Sequence, residues 1–329
     1  MKQRLIGFLI LLPLVLCGCG ERQAQQEFYA MDTYMSITAY GKDPQSTVAQ
    51  CVQYINALEA NISRTREDSE LSAINAAEGK ECTPSEQTMD ILQEAFDLAQ
   101  QTNGAFDPTI APLIDLWQIG PEQTEIPAQA DIDAAKAKIG YQRVKLTENS
   151  VQLEPDMKLD LGGIGKGYAA DHVAAMLKDA GIKRALIALG GNIYVIGEKE
   201  KGIPWTAGIT DPDDPQSYFA TLSVTDTSIV TSGDYERYFE KDGKRYCHIF
   251  DPKTGYPTET DLRSVTVVMP ESAKADAYST ALFVMGYDAA KEYCEQNGIQ
   301  AVLVRNDHTV YASDGLECSI TNTEYHYET

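Results

Sequence analysis

The sequence predicts an α+β protein whose sheets are largely antiparallel and are packed against helices. Segments in which apolar and polar residues alternate, as they do in a strand, often follow one another with no helical pattern between them. Segments with helical spacing recur only at irregular intervals. A doubly wound parallel sheet would need a helix after nearly every strand, so these two observations favour antiparallel pairing.

Helical spacing is found in five segments: 48–62, 87–102, 132–139, 169–180 and 287–297. Eight others have the character of strands: 34–40, 185–189, 192–196, 206–209, 218–224, 228–231, 264–268 and 300–304. The Asp242-Gly243 pair predicts a tight hairpin turn. No Pro/Ser linker, charge run or internal repeat divides the rest of the chain, so residues 28–329 are predicted to form one unit.

The first 18 residues are predicted to be a lipoprotein signal peptide. Two basic residues precede a twelve-residue apolar run, 5–16, which is shorter than the roughly 20 residues that span a membrane. Residues 16–19, LCGC, are typical of a bacterial lipobox. Cleavage after Gly18 would leave Cys19 as the lipidated N-terminus; Cys17 is the weaker candidate because a large Leu16 precedes it. A plain secretory signal without lipid is the alternative.

The charge of the mature chain bears on its partners. Removal of residues 1–18 leaves 25 of the 27 Lys and Arg residues against 49 Asp and Glu residues, a net charge of −24. Such a surface repels nucleic acid and anionic lipid headgroups. We therefore expect no nucleic-acid partner, attachment to the bacterial membrane through the lipid with residues 19–27 as a tether, and an extracytoplasmic location. Beyond the lipobox there are five cysteines, an odd number, and they are scattered, so they indicate no disulfide framework.

Residues 159–172, LDLGGIGKGYAADH, place Gly162, Gly163 and Gly165 between a strand pattern and a helical pattern. Glycine has no Cβ, so its backbone can take positive φ and approach a ligand closely. The helix that begins behind the turn offers unpaired N–H groups to an anion, and a phosphate is the expected one. Tight packing is the other explanation, because the turn matches neither the P-loop nor the dinucleotide-binding pattern. Asp160 before the turn and Lys166 within it favour ligand binding.

Asp276 and Thr280 lie four residues apart in an apolar segment, so they share one face of a predicted helix. A carboxylate and a hydroxyl are hard oxygen ligands of the kind that Mg²⁺ takes beside phosphate. Alternatively, Asp276 caps the helix and Thr280 bonds the carbonyl four residues before it.

Eight segments in order resemble the ApbE-type flavin transferases, also called FAD:protein FMN transferases. They are MDT (31–33), ISRTREDSELSAIN (62–75), GAFDPTIAPLIDLW (104–117), LDLGGIGKGYAAD (159–171), ALGGN (188–192), TSGDYER (231–237), HIFDPKTGYP (248–257) and ADAYSTALFVMG (275–286). Their shared order over about residues 28–320 makes the resemblance specific. It implies an ApbE-like, T-fold-like single catalytic unit. Several members of that family are bacterial lipoproteins, which agrees with the interpretation of Cys19.

The resemblance implies a Mg²⁺-dependent reaction in which FMN moves from FAD to a threonine hydroxyl of a target flavoprotein, as a phosphodiester, and AMP leaves. By the same resemblance, the acceptor would be a membrane redox-complex subunit or a secreted flavoprotein. Positions that hold FAD in the family are occupied here by Met31, Thr65, Ala105, Phe106, Asp107, Asp160, Lys166 and Phe250. The implied metal ligands are the side chains of Asp276 and Thr280 and a backbone carbonyl of the glycine turn, at Gly163.

A threonine hydroxyl needs a base to take its proton, and His248 and Asp276 are the candidates. His248 could instead be a structural hydrogen-bonding residue. Two other functions remain open from the sequence. One is a pyrophosphatase that uses water to split FAD into FMN and AMP, and the other is a flavin-binding lipoprotein without catalysis. The Asp276/Thr280 pair and Lys166 favour an enzyme.

Overall fold

The computed structural model describes residues 21–120 and 125–328. Its strands are β1 (Arg22–Ala30), β2 (Thr33–Gly41), β3 (Lys145–Leu146), β4 (Val151–Gln152), β5 (Arg184–Leu189), β6 (Asn192–Ile196), β7 (Trp205–Thr210), β8 (Tyr218–Val224), β9 (Thr227–Gly233), β10 (Tyr238–Lys241), β11 (Lys244–Cys247), β12 (Leu262–Met269), β13 (Gln300–Arg305), β14 (Thr309–Ala312), β15 (Cys318–Ile320) and β16 (His326–Tyr327). Its helices are α1 (Pro44–Ile62), α2 (Glu70–Asn75), α3 (Glu86–Gln101), α4 (Ala111–Trp117), α5 (Gln129–Lys136), α6 (Gly165–Asp179), α7 (Ser272–Met285) and α8 (Tyr287–Asn297).

A nine-stranded sheet organises the molecule, in the order β1-β2-β5-β6-β9-β12-β13-β14-β16. Every neighbouring pair is antiparallel except β14 and β16, which are parallel. Strands that are distant in sequence meet at its centre, where β9 lies between β6 and β12. The predicted α+β class with largely antiparallel sheets is therefore confirmed.

Both faces of the sheet are buried at its centre. Along β13, Ala301 and Leu303 belong to the main core under the helices, whereas Val302 and Val304 belong to a second core. This alternation follows from the two-residue period of a strand. The main core is covered by α1, α6 and α7, and the second by a three-stranded sheet of β15, β8 and β7.

A third apolar cluster lies beside these layers, where α4 and α5 meet the hairpin of β10 and β11. Trp117 is its central side chain, and the indole N–H donates to the carbonyl of Gly255 at 3.0 Å. Phe250 packs against the same indole, with ring centroids 6.3 Å apart. The cluster thereby fixes the segment that follows β11 against the helical part of the fold.

The N-terminal boundary predicted from the sequence is wrong. Residues 22–27, expected as part of a tether over 19–27, form most of β1, which pairs with β2 along its whole length. The strand escaped detection because its inward side chains include the small Ala24 and Ala30, while its outward ones are mainly Gln and Glu. The domain therefore begins at Arg22 rather than at residue 28.

The predicted signal peptide and the lipidated Cys19 lie outside the described residues. Within residues 21–120 and 125–328, none of the helices has both the length and the apolar character that would let it cross a bilayer.

Candidate active site

A cavity of about 760 Å³ opens between the ends of the central strands, the hairpin turn of β1 and β2, and the first turn of α6. That volume is in the range of small-molecule sites. All twelve site residues predicted within the described part of the chain line it. They are Met31, Thr65, Ala105, Phe106, Asp107, Asp160, Gly163, Lys166, His248, Phe250, Asp276 and Thr280. Their roles remain predictions. The fold nevertheless brings residues that are up to 249 positions apart in sequence to the lining of one cavity.

The glycine turn before α6 needs glycine because there is little room for a side chain, and not because its backbone has unusual dihedral angles. Gly162, Gly163 and Gly165 are absent from the residues with positive φ, so the expected use of that freedom is wrong. A Cβ on Gly163 would instead lie 3.1 Å from Cε2 of Phe106, and one on Gly165 would lie 3.1 Å from Cδ1 of Ile62. The glycines let the turn approach these two side chains closely.

Asp276, Thr280 and Gly163 converge at one end of the cavity. Asp276 is only 4% exposed, and its Oδ2 accepts the backbone N–H of Gly167 at 2.9 Å. Thr280 lies one helical turn further along α7, and a Cβ on Gly163 would be 3.6 Å from its Oγ1. The three groups suit Mg²⁺ by their chemistry, since a carboxylate, a hydroxyl and a backbone carbonyl all offer hard oxygen donors. Among the described residues, no group of three or more His, Cys, Asp or Glu side chains could hold a metal.

The alternative role of Asp276 as a helix cap is not what the structure shows. The first N–H groups of α7, at Ser272 and Ala273, donate to the two carboxylate oxygens of Asp171 at 2.8 Å each. Asp171, not Asp276, therefore caps the helix. The carbonyl of Asp276, four residues before Thr280, accepts the hydroxyl of Ser279 at 2.8 Å.

His248 lines the same cavity. Its Nδ1 is 3.3 Å from the carbonyl oxygen of Arg237, which also accepts the backbone N–H of His248 at 3.0 Å. A carbonyl can only accept, so this contact requires the proton on Nδ1 and leaves Nε2 with a free lone pair in the neutral ring. Desolvation, together with the positive charge of Arg237, lowers the pKa of His248 to about 4. The imidazole is therefore neutral at physiological pH.

Two charged residues that the sequence interpretation did not assign to the site, Glu236 and Arg237, also line the cavity. Desolvation raises the pKa of the Glu236 carboxyl; Lys166 and Arg237 oppose that shift, and Asp276 adds to it. Lys166 lies near the glycine turn, with Nζ 3.4 Å from the carbonyl of Gly162. The sequence could have pointed to Glu236 and Arg237, because both belong to the motif TSGDYER (231–237), which begins where a predicted strand ends.

Asp160 and Asp107 use their carboxylates within the protein. Asp160 forms an ion pair with Nε of Arg64 at 2.7 Å and accepts the N–H of Gly162 at 2.7 Å. Asp107 is buried; its Oδ1 accepts the N–H and the hydroxyl of Thr109 at 2.8 and 2.6 Å, and burial raises its pKa. Both side chains thus hold the loops that form the cavity wall.

Asn192, at the start of β6, was quoted in a motif but given no role. It lines the cavity, is 2% exposed, and its Nδ2 has no hydrogen-bond partner among the described residues. A buried donor without an acceptor costs about 1–3 kcal/mol, so such groups are rare unless a ligand satisfies them. A polar ligand in the cavity would give this amide an acceptor.

The remaining predicted contacts come from the hairpin turn and the loop after α1. Met31 has a φ of 49°, and its N–H donates to Oε1 of Glu59 at 2.9 Å. The hydroxyl of Thr65 is 3.1 Å from that of Ser63. These bonds hold both segments at the cavity rim.

Comparison with known proteins gives one consistent result. A family model described as the ApbE family matches residues 31–303. A protein of Escherichia coli (strain K12) called "FAD:protein FMN transferase" is 34% identical over 321 residues, covering 91% of this chain and 92% of the relative. A protein of the same name from Treponema pallidum (strain Nichols) is 34% identical over 335 residues, covering 93% and 92%. The solved structure "Flavin Transferase ApbE from Vibrio cholerae" has a TM-score of 0.80 at 30% identity, covering 89% of this chain and 98% of that one.

Proposed function

The chain belongs to the ApbE family, and on that basis we propose that it is a transferase that moves FMN from FAD to an acceptor protein. The name that its relatives share supports this activity. The observation that carries the proposal is the convergence of all twelve predicted site residues on one cavity. The orphaned amide of Asn192 adds an independent sign that a polar ligand belongs there.

We propose a threonine hydroxyl as the acceptor group. Its oxygen would bond to the phosphorus of the FMN half of FAD, while the bond from that phosphorus to the bridging oxygen breaks and AMP leaves with the bond's electron pair. The hydroxyl proton goes to a base. The product is a phosphodiester between FMN and the protein, and no oxidant or reductant is consumed.

We further propose Mg²⁺ as the cofactor, held by Asp276, Thr280 and the backbone carbonyl of Gly163. When bound, it would stabilise the negative charge that develops on the phosphoryl oxygens and on the departing AMP. Asp276 is prepared for this role because the Gly167 N–H fixes one of its oxygens. The preformed geometry reduces the reorganisation that the reaction would otherwise require.

Lys166 and Arg237 provide positive charge for the pyrophosphate. Both line the cavity, and both act on the Glu236 carboxyl, which places their charges near one another. A fixed cation in a partly desolvated site interacts with a phosphate more strongly than it would in water. We therefore assign them to binding the phosphates and to stabilising charge during transfer.

His248 is the better candidate for the base. Asp276 has one oxygen committed to Gly167 and is assigned to the metal, whereas Nε2 of His248 has a free lone pair. The ring is neutral at physiological pH, so it is able to accept the hydroxyl proton. The backbone carbonyl of Arg237 then stabilises the orientation of the ring.

The location of the enzyme follows from its N-terminus. We propose that Cys19 is lipidated and that the enzyme acts outside the cytoplasm, anchored to the bacterial membrane. The acceptor would then be a membrane redox-complex subunit or a secreted flavoprotein, because only such proteins would meet the site. The support is the sequence of residues 5–19.

One incubation tests the activity against its rivals. The purified protein is mixed with FAD, Mg²⁺ and a membrane extract of the source bacterium, and the products are separated on a denaturing gel and by chromatography. A fluorescent, flavin-labelled protein band together with AMP supports the transferase. Free FMN and AMP without a labelled band would indicate a pyrophosphatase, and unchanged FAD would indicate a binding protein.

A further inference from the structure

The outer edge of β1 has no strand paired with it in residues 21–120 and 125–328. β1 ends the nine-stranded sheet, and within the described residues it pairs only with β2. It is nine residues long, contains no proline, and keeps an unbroken register with β2 from Arg22 to Ala30. The opposite edge is β16, which has only two residues. Natural proteins usually shorten, bulge or cover such edges because they pair readily with other chains.

The direction of the backbone groups along this edge follows from the hairpin. Met31 and Asp32 form a two-residue turn with φ of 49° and 57°, as in a type I′ turn. The flanking residues, Ala30 and Thr33, are therefore a hydrogen-bonded pair, and such pairs alternate along the strand. The N–H and C=O groups of Gln25, Glu27 and Tyr29 consequently face the open edge.

The same edge leads to the active site. Met31, Asp32 and Thr33 of the turn line the cavity, so β1 ends at its rim. Tyr29 and Tyr34 lie directly opposite each other beside the turn and are 68% and 60% exposed. They are two of the six large apolar side chains that are strongly exposed in the described chain. Exposed aromatic pairs beside a site mark binding surfaces more often than scattered ones do.

We propose that the acceptor protein binds by adding an extended segment to the open edge of β1, which carries its hydroxyl past the turn into the cavity. This inference rests on the proposed function, because a protein substrate must bring a hydroxyl to a recessed site. Strand addition supplies affinity through main-chain hydrogen bonds, and neighbouring side chains supply specificity. At about 3.3 Å per residue, an acceptor strand paired with Gln25 to Tyr29 needs only a few further residues to reach the rim.

The test separates the backbone from the side chain at one position. Glu27→Pro removes an outward N–H from an edge strand, which tolerates proline there. Glu27→Ala keeps that N–H, and both variants lose the same contact with Tyr34. The probe is the purified protein that wild type labels with FMN in the extract. We expect Glu27→Pro to raise the KM for this acceptor about tenfold or more, with Glu27→Ala within about twofold of wild type.

Several controls keep the result interpretable. The Kd for FAD, from flavin fluorescence, should stay unchanged in both variants, and the melting temperature checks the fold. If Glu27→Pro does not fold, Gln25→Pro against Gln25→Ala repeats the comparison. Equal KM values for the proline and alanine variants would overturn the inference. So would a wild-type dimer that Glu27→Pro converts to a monomer, because a second copy would then occupy the edge. Absence of any labelled acceptor with wild type would instead count against the proposed function.

Discussion

Asp171 and Asp276 show how hydrogen bonds divide work between two similar side chains on neighbouring helices. Asp171 on α6 accepts the first two free N–H groups of α7, so it stabilises the start of that helix. Among the described residues, Asp276 accepts the N–H of Gly167 on α6 through Oδ2, and it lines the cavity. The pair explains how a carboxylate can lie on a buried helix face without serving as its cap.

Replacement of Asp276 by Asn should abolish Mg²⁺-dependent transfer while the fold persists. The amide oxygen can still accept from Gly167, so the packing is retained, but the charge of the metal ligand is lost. Flavin labelling is measured over a Mg²⁺ titration, with Asp288→Asn on the exposed start of α8 as the control. Transfer within about twofold of wild type at saturating Mg²⁺ would refute the metal assignment.

His248 should make the stability of the protein depend on pH. An ordinary histidine has a pKa of about 6.5 in the unfolded chain, and the folded value is lowered to about 4. Between these values the unfolded state binds more protons, so the native state loses stability as pH falls through that window. The contribution is fully present above pH 6.5 or so.

The measurement is urea unfolding of wild type and His248→Gln at about pH 7.5, 6 and 5. Wild type should lose more of its unfolding free energy than the variant as the pH decreases. The variant should also lose most of the transfer activity while its FAD affinity is maintained. Parallel pH profiles would show that the ring titrates normally and that burial does not keep it neutral.

Asn192→Leu should weaken FAD binding without destabilising the free protein. Leu has the same branching at Cγ and removes a buried donor that has no acceptor among the described residues, so the melting temperature should stay the same or rise. The lost contact should raise the Kd for FAD about tenfold, which corresponds to about 1.4 kcal/mol. Asn297→Leu, at the exposed end of α8, is the matched control. A lower melting temperature with unchanged Kd would instead assign the amide a structural role.

At the level of elements, the turn before α6 and the start of that helix serve two purposes. Gly163 faces the cavity, where a Cβ would press on Phe106 and approach Thr280. Gly167 faces α7, where a Cβ would lie 2.2 Å from the carbonyl oxygen of Ser272. That distance is impossible without separating two helices, whereas the contact at Gly163 requires only that a ring move by tenths of an ångström. One segment therefore forms the site and joins the two helices.

The two glycines should respond differently to alanine. Gly163→Ala should melt within a few degrees of wild type but lose most of its transfer activity, since the added Cβ presses on Phe106 and approaches Oγ1 of Thr280, a proposed metal ligand. Gly167→Ala should lower the melting temperature much further, because α6 and α7 must move apart. Thermal melting and flavin labelling of both variants decide this. Full activity in Gly163→Ala would place the metal and phosphates elsewhere.

At the scale of the whole molecule, the start of β1 bears on the anchor. If Cys19 is lipidated, only two residues separate it from Arg22, where the sheet begins. β1 spans about 30 Å at roughly 3.3 Å per residue, and the cavity lies at its far end. The anchor and the active site would thus be separated by a rigid strand and not by a flexible tether.

Cys19→Ser should release the protein from the membrane fraction without changing transfer to an acceptor in detergent solution. The diacylglycerol is attached to the cysteine sulfur through a thioether, and serine has no sulfur with which to form it. Mass spectrometry of the native N-terminus provides the direct check, with Cys17→Ser as the control. An unmodified N-terminus beginning at another residue would disprove the anchor.

Local patterns in the sequence predicted much of the architecture. The Asp242-Gly243 hairpin was predicted because glycine and aspartate tolerate positive φ, and β10 and β11 do pair across it. The turn at Met31-Asp32 has the same geometry but contains no glycine, so nothing local indicated it. The polar strand β1 was missed for a related reason, since an edge strand with small inward residues has no apolar run.

The residues of the candidate site likewise fall into those that the sequence predicted and those that it did not. Periodic patterns in the sequence predicted the fold class, because strand and helix periods depend on nearby residues, and the ordered motifs indicated the residue types of the site through their resemblance to a known family. The folded chain was needed to show that Asn192, Glu236 and Arg237 join them, that Asp171 caps α7, and that β1 has an edge unpaired among the described residues. These features depend on strands such as β6, β9 and β12 that pair across long stretches of chain. Long-range pairing of that kind leaves no periodic signal in the sequence, and the packing of the whole chain determines it.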